Sequence, residues 1–215
     1  MTRRFDPLIT DLASAEVSDR ATNQFSRDVG DLHGNAIRRR NLRLYLDELS
    51  ARRPSTMLVG EAVSYRGGRL TGIAFVSETL MLSGVATRAG RILGADRGYR
   101  KATPGPRLST EASATMVWST IAAIEPLPLL WNAFPFHPFR DGDPDSNRVP
   151  SAAELLLGER FIERLLRLFP IERVVAIGNQ AALSLTRMDI AHEKVRHPSQ
   201  GGKQLFVTGM TRLSS

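Results

Sequence analysis

Three short apolar runs, each stopping at glycine or asparagine, constrain this chain more than any other feature. Met57-Leu58-Val59 ends at Gly60, Leu127 to Trp131 ends at Asn132, and Val174 to Ile177 ends at Gly178-Asn179. Runs of this length without polar alternation suit strands buried on both faces, and such strands belong to parallel sheets. Between them lie segments with helical spacing of apolar residues, at about 35–52, 76–85, 109–124, 151–169 and 180–187, with a short first helix at 5–14. A possible edge strand ends at Arg196. The pattern predicts an α/β fold of three layers, α/β/α, around a central, mainly parallel four-stranded sheet. With 215 residues, 42% of them hydrophobic, the expectation is one domain over residues 1–215, with residues 1–54 as a helical segment packed on it.

Local signals refine this outline. Asn35 reads as a helix cap, and Arg38, Arg39, Arg40 and Arg43 as a solvated face or a phosphate contact. Residues 18–31 read as a polar loop, and the Gly-, Arg- and Pro-rich stretch 87–107 as a surface loop. Ser109 or Thr110 is expected to cap the next helix, which Glu125-Pro126 ends. Ser151-Ala152-Ala153-Glu154 spells a capping box, and the tail closes on a short helix with Leu205 and Phe206.

Composition bounds the chemistry. Lys and Arg number 29 against 22 Asp and Glu, a net +7 with a pI near 10.6, so polyanions are electrostatically favoured partners. The absence of cysteine excludes disulfides, thiol nucleophiles and cysteine-held zinc or iron-sulfur clusters. No His, Asp or Glu pair has a recognisable metal spacing, so no metal and no other cofactor is expected. The start is charged and interrupted by Asp6-Pro7, and no apolar run reaches the ~18 residues of a membrane span, so a cytoplasmic protein without membrane contact is expected.

In open α/β sheets, sites form beyond the carboxyl ends of the strands. There this chain places Glu61, Ser64, Tyr65, Arg66 and Thr71 after the first run, Asn132 and the aromatic cluster Phe134 to Phe139 after the second, and His197-Pro198-Ser199-Gln200-Gly201-Gly202 near the end. His137 is placed to line a pocket, whereas His33 and His192 read as loop residues.

The spelling of these strand ends resembles the uracil-DNA glycosylase superfamily. Gly60-Glu61-Ala62, followed by Thr71-Gly72-Ile73-Ala74-Phe75, resembles its first motif, with spacing like that of the iron-sulfur branches. Leu129-Leu130-Trp131-Asn132, with Asn147-Arg148-Val149-Pro150-Ser151 beyond, resembles the asparagine strand and the segment opening the next helix. His197-Pro198-Ser199 resembles the last motif, whose histidine faces the base and whose loop enters DNA. The likeness covers roughly residues 55–205. Three departures stand out: the four cluster cysteines of the iron-sulfur branches are absent, Ala62 replaces the aspartate of the most active branch, and Val63 replaces the usual proline.

The resemblance implies a monofunctional glycosylase that flips uracil or a related deaminated base out of DNA and hydrolyses its N-glycosidic bond, as in base excision repair. Such chemistry needs a base pocket, donors for the departing anion and a carboxylate near the water and the cationic sugar. Glu61 is the first choice for that carboxylate and Glu78 its rival, with His197 as donor to the base. Gly60, Ala62, Tyr65, Phe75 and Asn132 would hold the base, Phe75 by stacking, Asn132 by its carboxamide and Tyr65 as a guard against a thymine methyl. Ser199, Gly201, Lys203 and Arg148 would meet DNA phosphates. Other readings remain: a nucleic-acid-binding protein of this fold without catalysis, or an unrelated phosphate-ligand enzyme with a similar Gly-rich loop.

Overall fold

The computed structural model describes residues 4–214. In chain order its elements are α1 (Asp6–Ala13), β1 (Ala21–Thr22), α2 (Leu32–Arg52), β2 (Thr56–Ala62), α3 (Gly68–Thr71), α4 (Glu78–Ser83), β3 (Val85–Thr87) and β4 (Gly90–Ile92). After a 3-10 turn at Ala95–Arg97 come α5 (Ala112–Ile121), β5 (Leu129–Phe134), β6 (His137–Pro138), α6 (Ala152–Leu168), β7 (Arg173–Ile177), α7 (Asn179–Arg187), β8 (Glu193–Val195) and α8 (Lys203–Ser214).

The main sheet has the order β5-β2-β7-β8, with every neighbouring pair parallel. Met57, Leu58 and Val59 are all buried, as is every residue of β5. Successive side chains of a strand point to opposite faces, so both faces of the sheet are covered. Helices α6 and α7 pack against it and each other, and α8 packs on β8 and α5. This is the α/β architecture expected from the apolar runs. The register sets Val59 beside Trp131 and Gly60 beside Asn132. Strand β5 is an outer strand, and its Leu130 amide donates to the buried Tyr45 hydroxyl of α2 at 3.0 Å.

Several local expectations are corrected. Helix α2 begins before Asn35: Asp31 is its cap and accepts from the Gly34 amide. Asn35 is buried inside the helix, where it donates to the Ser26 and Val29 carbonyls. Nor is the arginine stripe simply solvated. Arg38 is only 7% exposed and bonds Leu70 O and Asn35, Arg39 bonds the carbonyls of Phe25 and Ser26, and Arg43 pairs with Asp6. An irregular segment leaves carbonyls without partners, and these guanidinium groups supply the donors. The stretch 87–107 carries much of the β3/β4 hairpin and the 3-10 turn. Neither Ser109 nor Thr110 caps α5; Glu111 occupies that position without a side-chain cap. Strand β2 runs on through Ala62 rather than stopping at Gly60. The capping box of α6 is present, with Ser151 Oγ accepting from the Glu154 amide and Glu154 from the Ser151 amide.

Candidate active site

The carboxyl ends of β2, β5, β7 and β8 open into a cleft of about 910 Å³. Glu61 and Ala62 from β2, Phe75 from the following loop, Asn132 from β5 and His197 from the loop after β8 all line it. A groove of about 670 Å³ lies at the opposite end, around Thr56, Pro128 and Arg173. What separates them is unsatisfied polarity: among the described residues, buried side-chain atoms without a partner include Asn132 Oδ1 and Glu111 Oε2 in the cleft and none in the groove. A buried polar atom left unpaired is costly and marks a place where a ligand can compensate.

The floor is built by three residues in contact. Gly60 has no Cβ, and one placed there would stand 2.3 Å from Phe75 Cζ and 2.6 Å from Asn132 Oδ1. The bare backbone thus makes room for ring and carboxamide together. Phe75 has φ 54°, a rare conformation for an aromatic residue, and is fixed by Trp118 Nε1 donating to its carbonyl at 2.9 Å. Thr71 folds the turn before it, its hydroxyl donating to Val76 O at 2.8 Å. Asn132 is 3% exposed.

Glu61 lies at the cleft wall with no hydrogen bond or ion pair to its carboxylate among the described residues, and burial pushes its pKa up. His197 faces Phe75, with ring centroids 6.5 Å apart. Its Nδ1 accepts from the Ser199 amide at 3.2 Å and stands 2.7 Å from Ser199 Oγ. Burial, then the Arg196 charge, push the imidazole pKa down. With Nδ1 occupied as an acceptor, the neutral ring carries its proton on Nε2.

The remaining expected residues are placed as follows. Glu78 does not line the cleft; it is 1% exposed and its carboxylate accepts from Thr103 Oγ1 and the Ser109 amide, closing the loop between them. Tyr65 lies outside the cleft too, in an adjoining groove of about 510 Å³ with Ser199, Gly201 and Lys203, under the Arg66 guanidinium. Ser64, not Tyr65, reaches the cleft. Arg148 touches the cleft, but its guanidinium is spent: it makes two 2.8 Å bonds to Glu154 and donates to the carbonyls of Phe139, Val149 and Arg20. Those five bonds use all five N–H groups, which leaves none for a phosphate. His137 is buried, with Nδ1 2.8 Å from Val63 O and Nε2 3.1 Å from Pro144 O, so it braces the loop rather than lining the cleft. Glu111, Ser113 and Asn147 enter the cleft although no spacing in the sequence singles out the first two.

Among the described residues, no group of three or more His, Asp or Glu is placed to hold a metal ion, and no helix is long and apolar enough to cross a membrane. No family model matches the chain, and no curated protein matches it. Among solved structures it is similar to wild-type SMUG2 of Pedobacter heparinus, a member of the uracil-DNA glycosylase family, with a TM-score of 0.64 and 16% identity over 99% of this chain and 97% of that one. At that identity the likeness speaks to fold, and the chain has the uracil-DNA glycosylase-like α/β fold.

Proposed function

We propose that this chain is a monofunctional DNA glycosylase that removes uracil or a related deaminated base, working as a single domain over residues 1–215 with residues 1–54 packed on it. The observation that carries the reading is Asn132: a carboxamide buried within the apolar strand β5, its Oδ1 without a partner, meeting the cleft beside Gly60 as the Phe75 ring does. A carboxamide offers one acceptor and one donor, which complement the N3–H and O4 of uracil, whereas cytosine presents the opposite pattern. Stacking on Phe75 adds ~1–3 kcal/mol if single-strand stacking is a guide.

As the C1′–N bond breaks, its electron pair passes to the base and positive charge builds on the sugar. Glu61, which lines the cleft without a cation partner, holds a water for attack on C1′ and takes its proton. His197 offers Nε2–H to the base oxygen where negative charge gathers. Ser199, Gly201 and Lys203 meet the DNA backbone beside the cleft.

An abasic-site assay on oligonucleotides carrying uracil, hypoxanthine, xanthine or cytosine, run with a DNA-binding measurement, tests the proposal. Cleavage after uracil and not after cytosine is the expected result. Binding without any abasic product assigns the chain instead to nucleic-acid binding without catalysis, a loss for which Ala62 would be the first suspect. The absence of both binding and cleavage overturns the DNA reading.

A further inference from the structure

Glu111 stands at the start of α5 yet does not cap it. Ser113 Oγ donates to its Oε1 at 2.7 Å, while Oε2 is buried without a partner and packed against Gly67, where a Cβ would lie 1.8 Å away. The residue lines both the cleft and the adjoining groove. With one oxygen accepting from a hydroxyl and the other with neither cation nor N–H, little in the protein stabilises the charged carboxylate, which favours the neutral acid. The charged and titratable groups sharing the cleft are Glu61 from β2, Arg148 ahead of α6, and Lys194, Arg196 and His197 from β8 and its loop. Tyr65, Arg66 and Lys203 stand in the groove. No ion pair joins any of them to Glu111 among the described residues, and burial pushes its pKa up against the smaller pull of the Ser113 and Ser64 hydroxyls.

We propose that Glu111 works as a neutral acid on the departing base, its carboxyl donating a hydrogen bond to a base carbonyl oxygen as the glycosidic bond breaks. The proposal rests on the glycosylase reading above. Donation to a base requires Oε2 to turn from Gly67 toward the cleft, a rotation about the soft terminal torsion of glutamate that gives up the Ser113 bond to Oε1. An ionised carboxylate on that wall would oppose the electron pair arriving on the base, whereas the neutral acid stabilises it. The balance closes without consuming the acid. Water adds its oxygen to C1′ and gives a proton to Glu61, the base leaves as an anion and takes up an equivalent proton, and Glu111 keeps its own.

The test is single-turnover excision from a uracil oligonucleotide between about pH 5 and 9, with wild type, Glu111→Gln and Glu111→Leu. Wild type should rise in rate as Glu61 ionises and fall at higher pH as Glu111 loses its proton. Glu111→Gln, which keeps a donor without the charge, should stay within about threefold of the wild-type maximum and lose the alkaline fall, while Glu111→Leu should lose about 10²-fold in rate. Affinity for free uracil, followed by titration calorimetry, should weaken with rising pH in wild type and not in Glu111→Gln. Thermal melting establishes that each variant is folded. A folded Glu111→Gln as slow as Glu111→Leu, or one with the wild-type pH profile, overturns the inference. Failure of the underlying reading is a different result, wild-type protein that makes no abasic site at any pH, and it takes this inference with it.

Discussion

Gly60 and Asn132 are register partners on adjacent parallel strands, and the Cβ that the first lacks would stand 2.6 Å from the carboxamide oxygen of the second. The same methyl would meet the Phe75 ring at 2.3 Å. Gly60→Ala must therefore push aside both residues proposed to hold the base. It should lower excision by ~10²-fold, the penalty of a displaced reacting geometry, while overpacking costs ~1–3 kcal/mol of stability. Single-turnover rates and urea unfolding measure the two effects, and a wild-type rate would show that the floor does not hold the base.

In its proposed role Glu61 sets function against stability. Burial raises its folded pKa above the unfolded value, so its contribution to stability is complete below the unfolded pKa of ~4.3 and is lost as pH rises through the folded one. Glu61→Gln removes that loss. The variant should excise ~10²–10⁴-fold more slowly yet melt higher than wild type at pH 8, with the difference vanishing toward pH 4. Melting curves at both pH values check it; a lower melting point at pH 8 contradicts the assignment of an unpaired acid.

Arg148 and Glu154 form the opposite case. Burial alone would raise the Glu154 carboxyl, but the bonds from Arg148, the Ser151 amide and Ser18 outweigh it and hold the pKa at about 2. The stability this provides is present above the unfolded pKa of ~4.3 and is lost as pH falls through the folded value. Arg148→Ala leaves the acid buried without its cation and should cost ~3–5 kcal/mol at pH 7, less as the medium is acidified. Denaturant titrations at pH 7 and 3 make the comparison.

Phosphate contacts are expected from the groove instead. With a net charge of +7, DNA affinity should fall steeply from about 50 to 200 mM salt, and Lys203→Ala should reduce the log-log slope by ~1. Anisotropy titrations across that range decide it, and a flat response contradicts the DNA reading.

What could be read ahead of the structure follows a physical division. The buried strands declared themselves because a strand covered on both faces needs consecutive apolar residues, as Met57 to Val59 and Val174 to Ile177 have. The capping box at Ser151 was legible because its partners are three residues apart. Arg38 was not, since its acceptor is Leu70 O, brought to it only by tertiary packing. Glu78 follows Phe75 at a suggestive spacing, but the Thr103–Ser109 loop that takes its carboxylate has no signature. Tyr65 lies in the turn beyond the end of β2, where no strand alternation says which side chain faces inward; Ser64 reaches the cleft and Tyr65 the adjoining groove. Glu111 belongs to the cleft only because α5 starts where it does.

The bond from the Leu130 amide to the Tyr45 hydroxyl fixes more than an outer strand's spare donor. Side chains alternate along β5, so a slip of one residue against β2 would turn Asn132 away from the cleft and send Ala133 or Trp131 into its place. A phenol on α2, buried and far below its raised pKa at any physiological pH, acts as an alignment pin two residues upstream of the carboxamide. If the chain reads bases as proposed, its choice between them is thereby tied to a helix that lies outside the cleft.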